Sequence, residues 1–307
     1  MTFEQAASAY IKAHQSGWKN VKHGQQWRNT LEQYAYPIIG KMLVADVDTP
    51  QIIRILEPIW QKKAETAVRL RNRIELVLDW ATARKYREGL NPARWRGHLD
   101  KLLARQSKTR RKHHAALPVD QAGAFMKRLR ASEGMGARAL EFVILTACRS
   151  GEVRGAKWGE IDLDAGVWVV PPERMKAAKE HRVPLSDAAV ELLKNLPRFA
   201  TSEFVFPAPR GGMLSDMTLN QLMRRMKVDA VPHGFRSTFR DWCADYTNYP
   251  REVAEMALAH AIESKVEAAY RRGDLFEKRR RLMAEWSQFL ANPMMKGEVI
   301  PLRSETA

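Results

Sequence analysis

Five side chains in the C-terminal half combine fixed charge, proton transfer and nucleophilicity: Arg149, Lys176, His233, Arg236 and Tyr270. Arginine and lysine stay cationic at neutral pH, imidazole titrates near it, and a phenol is a nucleophile once ionised. Such a set suits attack on a phosphodiester without a metal ion. The 8 histidines are scattered and no metal-ligand spacing stands out, so no metal or other cofactor is expected.

Each residue also has a plainer reading. Arg149 lies in Thr146-Ala147-Cys148-Arg149-Ser150-Gly151-Glu152, at the end of an apolar helix, where it pairs with Glu152 or aims a planar fork at a phosphate. Lys176 follows Met175 in a connection between two strands. Most such lysines are solvated, yet a lysine at a hairpin tip can reach a DNA groove and protonate a departing oxygen. Lys179 competes for that role. His233 and Arg236 are three apart, which predicts one shared helix face, with Pro232 marking the helix start. His260 closes another helix, where a lone histidine is a partner of the helix dipole more often than a catalyst. Tyr270 has helical spacing to its neighbours and reads as a packing residue or, with cations near it, as a phenolate nucleophile.

The elements that must position these residues follow from periodicity. Thr2-Phe3-Glu4-Gln5 is a capping-box pattern. A second helix is predicted over residues 24–36 with Pro37 ending it, a third from Thr49 as N-cap to Trp60, and a fourth over 64–87. In the fourth, Leu70, Ile74, Val77, Leu78 and Ala81 form the apolar stripe. These make a helical bundle. Residues 137–147 are apolar and predicted buried. Short Val- and Ile-rich runs at 160–163, 167–171 and 181–185 predict three strands, with Asp164-Ala165-Gly166 as a hairpin turn. Helices resume at Ser186 and dominate to about Ala291. The predicted fold class is therefore mainly α with a small antiparallel β-sheet (α+β).

The 307 residues carry a net charge of +16, which points to a polyanionic partner. Residues 1–117 hold 22 Lys/Arg against 10 Asp/Glu, a net +12, and the rest hold 29 against 25, a net +4. The first part thus reads as the electrostatic grip. Two cysteines, Cys148 and Cys243, imply no disulfide framework, and no apolar run reaches membrane-spanning length. A cytoplasmic, nucleoid-associated protein is expected.

The order R–K–HxxR–H–Y, with a basic α-bundle before it, resembles the tyrosine recombinases, and within them the phage and genomic-island integrases. The wording of HGFRSTFRDW and VEAAYRRGDLFEKRRRLM carries the resemblance, which spans nearly the whole chain. It implies a core-type DNA-binding helical domain at 1–103, a basic linker at 104–116, a catalytic domain at 117–293 and a C-terminal tail at 294–307. It assigns Arg149 and Arg236 as catalytic arginines, Lys176 as the hairpin lysine, His233 and His260 as the two histidine positions and Tyr270 as nucleophile. It also implies double-stranded DNA as partner, two domains on opposite faces of the duplex, a tetramer on DNA, and room for DNA-bending accessory proteins. Two departures stand out: Ala259 where the family often has Gly before the histidine, and TACRSGE for the commoner TGxRxGE. The usual N-terminal arm-binding domain does not precede residue 1, either because the sequence is a fragment or because arm binding is naturally lacking.

The expected function is site-specific DNA strand exchange that integrates or excises a mobile element. The competing readings are a catalytically silent DNA-binding regulator or degraded integrase, a type IB topoisomerase-like relaxase, and a metal-dependent nuclease.

Overall fold

Helix α1 spans Phe3–His14, and two side chains set its start. The Gln5 N–H donates to Thr2 Oγ1 at 3.3 Å, and the Thr2 N–H donates to Gln5 Oε1 at 2.9 Å. This reciprocal pair satisfies donors that have no partner within a helix. Phe3, Ala6, Ala7, Tyr10 and Ile11 then recur at helical spacing and are buried. The computed structural model describes residues 1–18, 21–105, 115–260 and 273–292. The chain divides into two compact units, Met1–Arg111 and Lys112–Ala307. Residues 106–114 of the expected linker and the whole of the tail at 294–307 lie outside the described residues.

In the first unit, helix α2 (Val21–Thr30) continues directly into a π-wound segment, Leu31–Gly40. Pro37 does not end the helix as expected but lies inside this segment. A proline ring collides with the carbonyl four residues back and has no N–H to donate; a wider turn is one way a helix absorbs that fault. Helix α3 spans Thr49–Trp60, and its N-cap is Asp48 rather than Thr49. Asp48 Oδ1 accepts from the Thr49 N–H at 2.7 Å, while the Asp48 N–H donates to Gln51 Oε1 at 3.1 Å. Helix α4 runs from Ala64 to Ala83, shorter than predicted, and buries the expected stripe of Leu70, Ile74, Val77, Leu78 and Ala81.

Three buried arginines hold this unit's loops. Arg71 Nη1 donates to Ala93 O at 2.8 Å, Arg73 Nη1 to Gln26 O at 2.8 Å, and Arg87 Nε to Val44 O at 3.1 Å. Each guanidinium thus satisfies a carbonyl distant from it in the chain, and its own burial is compensated by those bonds.

The second unit begins with helices α5 (Ala122–Arg130), α6 (Met135–Thr146) and α7 (Ser150–Arg154). Helix α6 is apolar on nearly all sides, and Ala137 and residues 139–146 are buried, as such a helix requires. Strands β1 (Ile161–Asp162), β2 (Val167–Val170) and β3 (His181–Pro184) form an antiparallel sheet in that order. Ile161 faces Trp168, and Val170 faces His181. The turn between β1 and β2 is held by Asp162 Oδ1, which accepts from the N–H groups of Asp164 and Ala165 at 3.0 and 2.8 Å.

Helices α8 (Asp187–Lys194), α9 (Thr218–Arg225), α10 (Phe235–Tyr246), α11 (Arg251–Ala257) and α12 (Phe276–Ala291) follow. Trp168 of β2 and Trp286 of α12 are wholly buried, and Trp286 Nε1 donates to Ile144 O at 2.8 Å. That bond lets the indole sit in the core without an orphaned donor. The fold is mainly α with a small antiparallel sheet, as the sequence led us to expect. Among the described residues no helix is long and apolar enough to cross a membrane.

Candidate active site

Helix α6 ends at Thr146, and Ala147 turns the chain with a φ of 51°. This left-handed residue lets Arg149 leave the buried helix and cap α7. The Arg149 N–H donates to Glu152 Oε2 at 2.9 Å and its Nη1 donates to Glu152 Oε1 at 2.8 Å. The simple ion pair expected from the sequence therefore exists, with the Glu152 side chain 5% exposed and that of Arg149 25% exposed. The pair does not use up the guanidinium, because Nη2 also donates to Ala259 O at 3.3 Å.

Arg236 arrives from another direction. His233 and Arg236 do not share a helix face as predicted: His233 lies in a 3₁₀ turn, Pro232–Gly234, and Arg236 lies in the first turn of α10. The constraint is Gly234, where a Cβ would stand 2.0 Å from Ala115 O. The chain at 115 also accepts from the Val231 N–H at 3.1 Å, so this turn is clasped by backbone. His233 is exposed and Arg236 is buried.

The buried guanidinium is tied to three groups. Arg236 Nη1 donates to Ala147 O at 2.6 Å, and Nη2 donates to Leu258 O at 2.5 Å and to His260 Nε2 at 3.0 Å. A guanidinium has no acceptor, so His260 Nε2 must offer its lone pair and the ring proton must sit on Nδ1. Nδ1 then donates to Glu255 Oε2 at 2.5 Å. Burial opposes ionisation of Glu255, but the bond to His260 and the charge of Arg240 outweigh it and hold the carboxyl below its usual range. Burial, and next the charge of Arg149, pull Arg236 below the ordinary arginine value. Between the two arginines, the Cys148 thiol is pushed up to about 12, first by burial and then by Glu152.

Arg149, Arg236 and His260 are thus joined in one network, although they come from three segments. Lys176 is exposed in the connection between β2 and β3, as is Lys179. Beside it Met175 is buried, and Arg174 donates through Nη1 to Glu152 O at 3.1 Å and through Nη2 to Glu160 Oε2 at 2.7 Å. Tyr270 lies outside the described residues. Sequence reasoning missed Glu255, Arg174 and His181. It also missed Arg279, whose Nη2 holds Asp274 at 2.8 Å while Nη1 donates to Arg182 O at 2.6 Å. The signal for Arg279 was only its place on the inward face of α12. Among the described residues no group of three or more His, Cys, Asp or Glu could hold a metal ion. A cleft of about 580 Å³ lined by Met135, Phe199, Pro207, Leu214 and Thr218 contains none of the candidate catalytic residues that are among the described residues.

Comparison with known proteins decides the family. Residues 3–98 match the phage integrase central domain, and residues 115–275 match the phage integrase family. The chain belongs to the phage integrase family of tyrosine recombinases. This phage integrase family member is 32% identical to prophage integrase IntA of Escherichia coli K12 over 86% of its own length and 64% of that relative. It is 30% identical to prophage integrase IntZ of the same organism over 99% of its length and 74% of that relative. The chain therefore spans less than two thirds of IntA. In fold, this integrase-family chain is similar to lambda integrase solved as a tetramer bound to a Holliday junction. The TM-score is 0.67 at 19% identity, covering 86% of this chain and 79% of the other.

Proposed function

We propose that this protein is an integrase that cuts and rejoins double-stranded DNA at specific sites through a 3′-phosphotyrosyl intermediate, integrating or excising a mobile element. One observation carries the reading: two arginines from separate segments meet at the end of α11 beside His260, with Glu152 paired to the Arg149 guanidinium. Such a cluster has positive charge left over for a phosphate.

In this mechanism the Tyr270 oxygen attacks the scissile phosphorus, and the bond from phosphorus to the 5′ oxygen breaks. Lys176 gives a proton to that leaving oxygen, and His233 takes up the phenol proton or holds the phosphate. Arg149 and Arg236 bind the non-bridging oxygens as charge develops on them. A 5′-hydroxyl of a partner duplex then attacks the phosphotyrosine and releases Tyr270. The ester bond is conserved through both steps, so no nucleotide hydrolysis is needed.

His260 has a defined task in this scheme. Its Nε2 accepts from Arg236 in the free protein. To donate to a phosphate oxygen it must take a second proton and leave Arg236, and Glu255 on Nδ1 would steady the imidazolium. Residues 1–103 would grip DNA as the core-binding domain, residues 117–293 would carry the chemistry, and four protomers would assemble on two duplexes, as the lambda integrase tetramer does on its junction. Multiple phosphate contacts would make binding steeply salt-dependent.

The test is a nicked suicide duplex carrying the candidate attachment site. The wild-type chain is expected to form a covalent adduct mapping to Tyr270 with a free 5′-hydroxyl. Tyr270→Phe is expected to bind the duplex and form none; an adduct with that variant refutes the assignment.

A further inference from the structure

Glu152 is bonded through both its side chain and its main chain. Its carboxylate accepts from the Arg149 N–H at 2.9 Å and from Arg149 Nη1 at 2.8 Å, while its carbonyl accepts from Arg174 Nη1 at 3.1 Å. Arg149 belongs to the proposed phosphate clamp. Arg174 stands two residues before Lys176, the proposed acid, and nothing above has given it a task. One residue of α7 therefore joins the segment that carries a phosphate ligand to the segment that carries a proton donor.

The second arm of the Arg174 guanidinium is held as closely. Nη2 donates to Glu160 Oε2 at 2.7 Å, and the guanidinium carbon lies 6.0 Å from the centre of the Trp168 ring. Glu160 is itself anchored. The same oxygen accepts from Trp168 Nε1 at 3.0 Å and from the Lys157 N–H at 3.2 Å, and its side chain is only 13% exposed. An ion pair between two mobile surface groups fixes little. A planar fork set between a main-chain carbonyl and an anchored carboxylate is held in one geometry.

The chain makes room for this fork. Gly155 follows α7, and a Cβ added there would stand 2.7 Å from Arg174 Nη1. The φ of Gly155 is −94°, which needs no glycine, so what the residue supplies is space for the guanidinium. The path from Arg174 to Lys176 is short and fastened. Arg174 closes the 3₁₀ turn Pro172–Arg174, the Met175 N–H donates to Pro172 O at 3.1 Å, and the Ala178 N–H donates to Met175 O at 3.0 Å. Met175 is buried, whereas Lys176 is exposed.

We propose that Arg174 is a positioning residue whose guanidinium, set between Glu152 O and Glu160, registers the Lys176 turn against Arg149. It touches neither DNA nor the scissile bond, and it acts on the step in which Lys176 protonates the 5′ oxygen. This role rests on the recombinase reading above.

The experiment uses the full chain at saturating concentration on the nicked suicide duplex, with either oxygen or sulfur at the 5′ bridging position. A sulfur leaving group needs little protonation, so it bypasses Lys176. Arg174→Met keeps the aliphatic stem and removes both donors. Gly155→Ala keeps every charge and pushes the guanidinium off Glu152 O. Because a small misplacement of a reacting group can cost up to about 100-fold, each variant is expected to slow adduct formation on oxygen by about 10- to 100-fold, with DNA binding unchanged. Each should match wild type on sulfur. A loss that persists on sulfur, or an Arg174→Met variant as fast as wild type on oxygen, overturns the inference alone. Should Arg174→Met fail to fold, Gly155→Ala decides by the same two comparisons. A wild-type chain that forms no adduct removes the recombinase reading and this inference with it.

Discussion

Arg73 in the first unit and Arg236 in the second are both buried, both donate to main-chain carbonyls, and burial pulls both below the ordinary arginine value. Their surroundings differ. Arg73 donates to Gln26 O and Thr30 Oγ1 and lies over the Trp27 ring at 5.5 Å. The cation that acts on it, Arg69, is exposed and paired with Glu65. Arg236 has Arg149 as its neighbouring cation, and Arg149 is itself partly open to solvent. The same residue type therefore staples loops in one unit and concentrates charge in the other. It follows that the +12 of residues 1–117 overstates the charge available to DNA, since Arg71, Arg73 and Arg87 are spent inside.

The largest effect that would sharpen this contrast is catalytic. Arg236→Ala is expected to slow adduct formation on the suicide duplex by about 100- to 1,000-fold, the usual cost of one donor lost from a developing oxyanion. Arg73→Met should leave the rate at saturating DNA unchanged. A slowed Arg73→Met protein with an unchanged melting temperature would break the comparison.

Next comes a pH effect on stability. The unfolded chain binds a proton at His181 near 6.5, and the folded chain only near 4. A depressed histidine value means that stability is full above 6.5 and falls as pH drops from 6.5 toward 4, by up to about 3 kcal/mol. Denaturant unfolding at pH 7 and pH 5 should show about 2 kcal/mol of that loss in wild type and a smaller one in His181→Phe. Equal losses in the two proteins would assign the effect to other groups.

A smaller cost attends the staples. Arg73→Met and Arg87→Met orphan carbonyls and are each expected to lower unfolding free energy by about 1–3 kcal/mol. The slope of DNA affinity against salt should stay put, because neither guanidinium meets a phosphate. A shallower slope would return these residues to the DNA-binding face.

The smallest effect concerns the two alanines that stand where the family pattern carries glycine. Ala147 and Ala259 have φ values of 51° and 48°, and their carbonyls accept from Arg236 and Arg149. The left-handed region costs a residue with a Cβ about 1–2 kcal/mol. Ala147→Gly and Ala259→Gly are each expected to raise stability by about 1 kcal/mol, read as a higher denaturant midpoint.

Much of this was legible in the chain. Helix and strand periodicity located the helices of the first unit and the three strands, because an apolar stripe on one face survives as a pattern in one dimension, whereas the region after Ser186 was read only as mostly helical and the irregular stretch at 195–217 was not foreseen. The capping pair Thr2 and Gln5 could be read because cap chemistry is local. Pro37 misled because proline lowers the chance of a helix without forbidding a widened one. Asp48 was passed over because Thr49-Pro50 is also a good start signal, and only the backbone of residue 48 decides between them. For the site, the order of candidate residues was readable, but the bond partners were not. Arg149 and Ala259 are far apart in the chain, and no periodicity links them. Arg174 and Glu255 look like ordinary polar residues of a turn and a helix until the carbonyl and the ring they reach are known.

Cys148 lies between the carbonyl that receives Arg236 and the guanidinium of Arg149, and its thiol is pushed up to about 12. Alkylating reagents attack the thiolate, so the native chain should resist iodoacetamide at this position. Every modification found there by peptide mapping would mark a moment when the arginine-bearing segment came apart. The residue is thus a clock built into the centre, able to time its disassembly in solution before any nucleic acid is added.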